Sequence, residues 1–192
     1  MKVNIKDFIK INVVDTCSIW NLISSFRFYN ASKKAGCHFS CTAFIMYECL
    51  YKPRKSVSET EQILIGRLKG LHQRGEFKEY HIEIDDLQDV DLLKKRKNLS
   101  KGELSGIAFA KKINQAFITD DQGARLLAEQ VMPGKMVQTI PHLFGWLFFN
   151  EMLIDSDKDE IINEHKYFNR PLSKYLEDTY TKALELKLAS KY

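Results

Sequence analysis

A chain of 192 residues, 44% of them apolar and with only 9 Gly and 4 Pro, is long enough for one sizeable core with an appended tail. Its net charge of +4, from 29 Lys plus Arg against 25 Asp plus Glu, is too mild to name a polyanionic partner by itself. No charged N-terminal region leads into a long apolar stretch, and the run from Leu143 to Phe149 is too short to span a bilayer, so a soluble, cytoplasmic protein is expected.

The run Ile11-Asn12-Val13-Val14 reads as a buried strand and stops at Asp15. Ser18 to Phe28 then reads as a helix with Trp20, Ile23, Phe26 and Phe28 inward. Cys37 to Ser40 is a short strand, and Ser40 or Thr42 caps a helix running to about Leu50, with Pro53 beyond its end. From Val57 to about His72, Ile63, Leu64, Leu68 and Leu71 recur at helical spacing, and Gly75 closes the segment. Tyr80, Ile82 and Ile84 alternate with His81 and Glu83, as in a strand toward a sheet edge.

Leu87 to about Arg96 is helix-like, and Ser100-Lys101-Gly102-Glu103 opens a helix with Leu104, Ile107, Ala108 and Phe109 on its apolar side. A second strand, Ala116-Phe117-Ile118-Thr119, meets Asp120-Asp121. Ala124 to Gln130 is helical, Met136 to Gln138 is a short strand, and Pro141 starts a helix through Phe144, Trp146 and Leu147. Past Asp155 the composition turns charged and polar, and Leu176, Tyr180, Ala183, Leu184 and Leu188 mark a stripe on a terminal helix. Such a stripe either folds back on the domain or forms an interface. The alternation predicts an α/β fold, with residues 1–154 as one domain and 155–192 as a helical C-terminal extension.

All four cysteines, Cys17, Cys37, Cys41 and Cys49, fall in the first quarter on segments that read as strand and helix, so reduced thiols are expected. Cys37-His38 and Cys41 make only half of a zinc site, and no second Cys/His pair follows at finger spacing. No Gly-rich phosphate loop and no G-x-G-x-x-G is present, which counts against P-loop and dinucleotide-binding folds.

Strands of a parallel sheet line a ligand crevice at their carboxyl ends, so two strands that stop at aspartate suggest a divalent-cation site. Four acidic positions are conspicuous, and each has a plain structural role open to it. Asp15 suits a helix cap, and Glu48 has Lys52 one turn on as a surface partner. Glu103 completes the capping box Ser100-x-x-Glu103, and one of Asp120 and Asp121 can cap the next helix while the other reaches the crevice. Thr119 adds a hydroxyl that can orient a carboxylate or a water. Lys94-Lys95-Arg96-Lys97 with Lys101 forms a cationic stretch, suited either to solvent or to phosphate.

In order and spacing, four segments together resemble the PIN-domain nucleases: Val13-Val14-Asp15-Thr16-Cys17-Ser18; His38-Phe39-Ser40 through Tyr47-Glu48-Cys49-Leu50; Gly102-Glu103-Leu104-Ser105-Gly106-Ile107-Ala108; and Ile118-Thr119-Asp120-Asp121-Gln122-Gly123-Ala124-Arg125. The resemblance runs from about Ile11 to Trp146, with single-domain toxins of VapC type as the most similar branch in appearance. It implies a three-layer α/β/α fold around a mostly parallel sheet. It also implies that Asp15, Glu48, Glu103 and Asp121 or Asp120 converge on Mg²⁺ or Mn²⁺, with Asp15 central and Thr16 and Thr119 in support. Asp121 fits the family's Thr-x-Asp pattern better than Asp120. Two features depart from the common pattern: Glu103 stands where many PIN toxins have aspartate, and the acids after Thr119 are doubled.

Hard dications take oxygen ligands and keep waters, so a carboxylate set without His or Cys suits them. The resemblance implies hydrolysis of RNA phosphodiesters, single-stranded or looped, by a toxin that an antitoxin protein inhibits and that forms a homodimer. Lys95, Arg96, Lys101 and Arg125 are the expected RNA contacts, offsetting the repulsion between acids and backbone. The alternative is a catalytically inactive PIN-like scaffold that binds RNA or protein. A phosphotransfer domain with Asp15 as nucleophile is disfavoured, because Cys17 stands where the usual Asp-x-Asp pattern has its second acid.

Overall fold

The computed structural model describes residues 4–83 and 99–190. The expectations for Ile84, for the helix Leu87 to Arg96 and for Lys95 and Arg96 lie outside the described residues. A five-stranded, all-parallel sheet is built from β1 (Ile11–Val14), β2 (His38–Thr42), β3 (Lys78–Tyr80), β4 (Ala116–Ile118) and β5 (Val137–Gln138), in the order β3-β2-β1-β4-β5. Nine α-helices are present among the described residues: α1 (Thr16–Ser24), α2 (Phe26–Lys34), α3 (Ala43–Leu50), α4 (Glu59–Gln73), α5 (Lys101–Lys112), α6 (Gln122–Val131), α7 (Ile140–Phe149), α8 (Asp155–Tyr167) and α9 (Ser173–Ala189). The expected three-layer α/β/α architecture with C-terminal helices is what the chain adopts, in the arrangement of a PIN-like fold.

The layers follow from strand alternation. Val13 pairs with Phe117 and Val14 with Ile118, and successive strand side chains point to opposite faces. Val13, Phe117 and Val137 accordingly join a core with α5 and α6, while Val14 and Ile118 join a larger one with α1, α2, α7 and the C-terminal helices. Helix α5 lies close on the first face. A Cβ at Gly106 would stand 2.8 Å from Phe117 Cε2 and 3.1 Å from Ile45 Cδ1.

Polar side chains pin the sheet where apolar packing alone would let it slide. Gln138 on β5 donates to Asn12 Oδ1 on β1 at 2.6 Å and to the Ile9 carbonyl at 3.1 Å, and accepts from the Ile9 amide at 2.8 Å. Asn12 in turn donates to the Ile9 carbonyl at 2.8 Å, so this buried group of amides is mutually satisfied.

The helix expected over Ser18 to Phe28 is two helices, because Ser25 takes an extended conformation (φ −122°) and caps α2 by accepting from the Phe28 amide. The turn leaves Phe26 36% exposed while Phe28 is buried. The edge strand is also shorter and earlier than expected: β3 ends at Tyr80, before the alternation around Ile82. It does lie at the sheet edge.

Beyond Asp155 the chain packs back on the domain: Phe148 and Tyr180 meet edge to face at 4.9 Å, and Leu176 and Ala183 are buried in the same core as Phe28 and Phe144. The stripe is covered at its start and open at its end, since Leu188 is 62% exposed. No helix among the described residues is long and apolar enough to cross a membrane.

Because Gly106 holds α5 against a fully buried ring, Gly106→Val should lower stability by about 1–3 kcal/mol through overpacking. Urea denaturation monitored by circular dichroism measures this, and an unchanged midpoint would contradict the close approach.

Candidate active site

Chain order runs β1, β2, β3 toward one edge and then returns to place β4 on the other side of β1. This is a topological switch point, and the crevice at the carboxyl ends of β1 and β4 is where open α/β sheets bind ligands. Asp15 and Thr119-Asp120-Asp121 leave the sheet here.

Asp15 has no exposed surface. Its Oδ1 accepts the Ser18 amide at 2.6 Å, capping α1, and its Oδ2 accepts the Thr119 hydroxyl at 2.5 Å. Desolvation outweighs both bonds and lifts its pKa from the ordinary 3.8 to about 7, with the nearby Asp120 adding to the shift. Asp120 accepts Asn21 Nδ2 at 2.7 Å and the Ile140 amide at 3.0 Å, yet its burial still lifts it to about 6. Asp121 caps α6 by accepting the Ala124 amide at 2.8 Å, and its own amide donates to Thr119 Oγ1 at 3.2 Å. Thr119 therefore links both strand ends.

Glu48 and Glu103 are carried by α3 and α5. Glu48 accepts the Thr16 hydroxyl at 3.0 Å and the Gly102 amide at 3.3 Å, in place of the surface pairing with Lys52 that sequence spacing suggested. This approach needs a glycine, since a Cβ at position 102 would stand 2.8 Å from Glu48 Cδ. Glu103 closes the capping box, accepting the Ser100 amide at 2.7 Å while its own amide donates to Ser100 Oγ at 3.1 Å. Its pKa is raised, chiefly by burial and further by the carboxylates of Asp121 and Glu48.

Asp120 lies near enough to Asp15, and Asp121 and Glu48 near enough to Glu103, to raise the pKa of each. Among the described residues no three His, Cys, Asp or Glu side chains form a group that could hold a metal ion as they stand. In donor chemistry the set fits a hard divalent cation. It is all oxygen, it is flanked by the hydroxyls of Thr16 and Thr119, and three of its carboxyls hold their protons above the usual range.

Of the expected RNA contacts, Lys101 is exposed beside Glu48, and Arg125 lies near enough to Asp120 to favour its charged form. Sequence reasoning missed Asn21, whose amide fixes Asp120, and the Gly102 amide as a partner of Glu48. Asn21 sits two turns into α1 with nothing to mark it. Gly102 carried a signal in its place just before the acid of a helix start. Cys17 is free, and its sulfur lies 3.7 Å from Asn21 Nδ2.

Comparison of the chain with protein-family models, with curated proteins and with solved structures returns no match.

Asp15 and Asp120 bind protons more tightly in the folded than in the unfolded chain, so their contribution to stability is fullest below about pH 4 and is lost as pH rises through 6 and 7. Asp15→Asn removes the larger part of that dependence. The melting temperature of the variant relative to wild type, in chelator-treated buffer, should therefore move in the variant's favour between pH 4 and pH 8. A constant difference across that range would contradict the raised pKa.

Proposed function

We propose that this protein is a metal-dependent ribonuclease of the PIN-domain kind, acting as the toxin component of a toxin–antitoxin pair in the cytoplasm. The observation that carries the reading is the placing of Asp15 and the Thr119-Asp120-Asp121 segment at the switch point, with Glu48 bonded to the neighbouring Thr16 and Glu103 within reach of the charges of Asp121 and Glu48. A bare crevice of this kind repels a phosphodiester. A bound Mg²⁺ or Mn²⁺ would neutralise the carboxylates and supply Lewis-acid activation of water and stabilisation of the departing 3′ oxygen.

Asp15 is the central ligand, since its Thr119 and Ser18 bonds fix both oxygens at the strand end. Glu48, Glu103 and Asp121 serve the opposite side, and Asp120, held by Asn21 and the start of α7, supports Asp15. Thr119 orients the Asp15 carboxylate and anchors the backbone of Asp121, and Thr16 holds Glu48. Lys101 and Arg125 offset the negative field felt by the incoming backbone. Hydrolysis adds water across the P–O3′ bond, leaving a 5′-phosphate and a 3′-hydroxyl.

A second reading, a PIN-like scaffold that does not cleave, is favoured by one observation: Asp15, Asp121 and Glu103 each already serve a helix start. Calorimetric titration with Mn²⁺ separates the two, because an active cluster binds the ion and a set of caps does not. Purified protein with Mn²⁺ or Mg²⁺ should degrade RNA, and Asp15→Asn should lose more than about 100-fold, above the 10–100-fold expected of an outer-shell change such as Thr119→Val. Gly102→Ala should resemble Glu48→Gln in activity while leaving the circular dichroism spectrum unchanged. Equal cleavage by Asp15→Asn would end the ribonuclease reading. The toxin reading also includes a homodimer and an inhibitory protein partner, and a monomer mass by light scattering at high concentration would count against the dimer.

A further inference from the structure

Helix α3 buries Ile45, Met46 and Cys49, so its outer face carries Phe44, Tyr47 and, at its C-cap, Tyr51. These aromatics are 37%, 50% and 66% exposed, and their spacing places them along one side of the helix. A soluble surface rarely spends three adjacent large rings on water without a use. Phe44 and Tyr47 line a groove of about 760 Å³ together with Ile82, the start of α5 and Glu48. Lys52 and Lys101 also line it, both are exposed, and among the described residues no carboxylate pairs with either. The groove therefore combines ring faces, two uncommitted cations and direct continuity with the acid crevice.

We propose that this groove binds an unpaired nucleotide of single-stranded RNA, with its base stacked on Phe44 and Tyr47 and its flanking phosphates on Lys52 and Lys101. The inference rests on the ribonuclease reading for the role of the crevice and adds a binding subsite to it. Ring faces accept any base, so the subsite is tolerant of sequence. A base within a duplex has both faces covered by its neighbours, so the subsite selects unpaired strands. A protein segment docked on the rings would have to desolvate both lysines without a partner for them, whereas the RNA backbone supplies that partner.

The test uses the full chain in excess chelator, so that binding is separated from cleavage, with a fluorescent 12-nucleotide RNA followed by anisotropy. The single strand should bind more tightly than the same sequence in a duplex. Phe44→Ala and Tyr47→Ala should each weaken single-strand binding roughly five- to fiftyfold, while Tyr47→Phe retains it. Lys52→Ala and Lys101→Ala should each lower the steepness of the salt dependence by about 0.7. Both rings are solvent-exposed, and unchanged melting temperatures in the variants confirm that folding is not what is being read.

Equal affinity for duplex and single strand, no binding at all, or wild-type affinity in Tyr47→Ala would each overturn the subsite. So would a shift of Tyr47→Ala from dimer to monomer with RNA binding intact, which would assign the face to a second copy. Cleavage assays keep the two ideas apart. Binding that depends on Tyr47 in a protein that never cleaves removes the ribonuclease reading and leaves the subsite; cleavage with an unchanged KM in Tyr47→Ala does the reverse.

Discussion

A carboxyl group with no exposed surface, clamped between the ends of two parallel strands, is the constraint on which the rest of this structure turns. The Asp15 amide donates to the Ile118 carbonyl at 3.2 Å while its side chain accepts from Thr119, so strand ladder and site share one register. Sliding β4 by one residue would move Phe117 and Ile118 to the wrong faces and carry Thr119 away from Asp15. The same register that divides the two cores therefore also positions the acids.

Capping and cation binding are often treated as rival explanations for an acid at a helix start. A carboxylate offers about four lone-pair sites, and a cap uses one or two of them. Asp121 spends one bond on the Ala124 amide, and Glu103 spends one on the Ser100 amide. What a cap contributes is position. Side chains tied to a backbone amide are held where they stand, and burial there is the chief reason that the pKa values of Asp15, Asp120 and Glu103 are raised.

Local sequence carried the strands well, because buried parallel strands are short continuous apolar runs, and β1 and β4 both stop at the residues that mattered. It carried two helix starts as well, since Ser100 and Thr42, the latter one of two candidates, cap α5 and α3. It misjudged Ser25, because Phe26 and Phe28 continue an apolar pattern across what is in fact a corner. It could not show Thr16 reaching Glu48 across 32 residues or Asn21 reaching Asp120 across 99, because such pairings have no local signature. The acids were nameable, but the groups that hold Glu48 and Asp120 in place were not.

Consider finally the amide pair Asn12 and Gln138, which join across 126 residues to complete the middle of the sheet. Strand β1 comes early in the chain, yet one of its edges waits for β4, and its polar interior waits for β5. During synthesis the first hundred residues carry an unpaired strand edge, an aggregation liability that loop closure can remove only late. The same delay applies to the site. A ribosome-bound fragment that ends before Thr119 lacks Asp120, Asp121 and the hydroxyl that holds Asp15, so the crevice stays incomplete until β4 has been made.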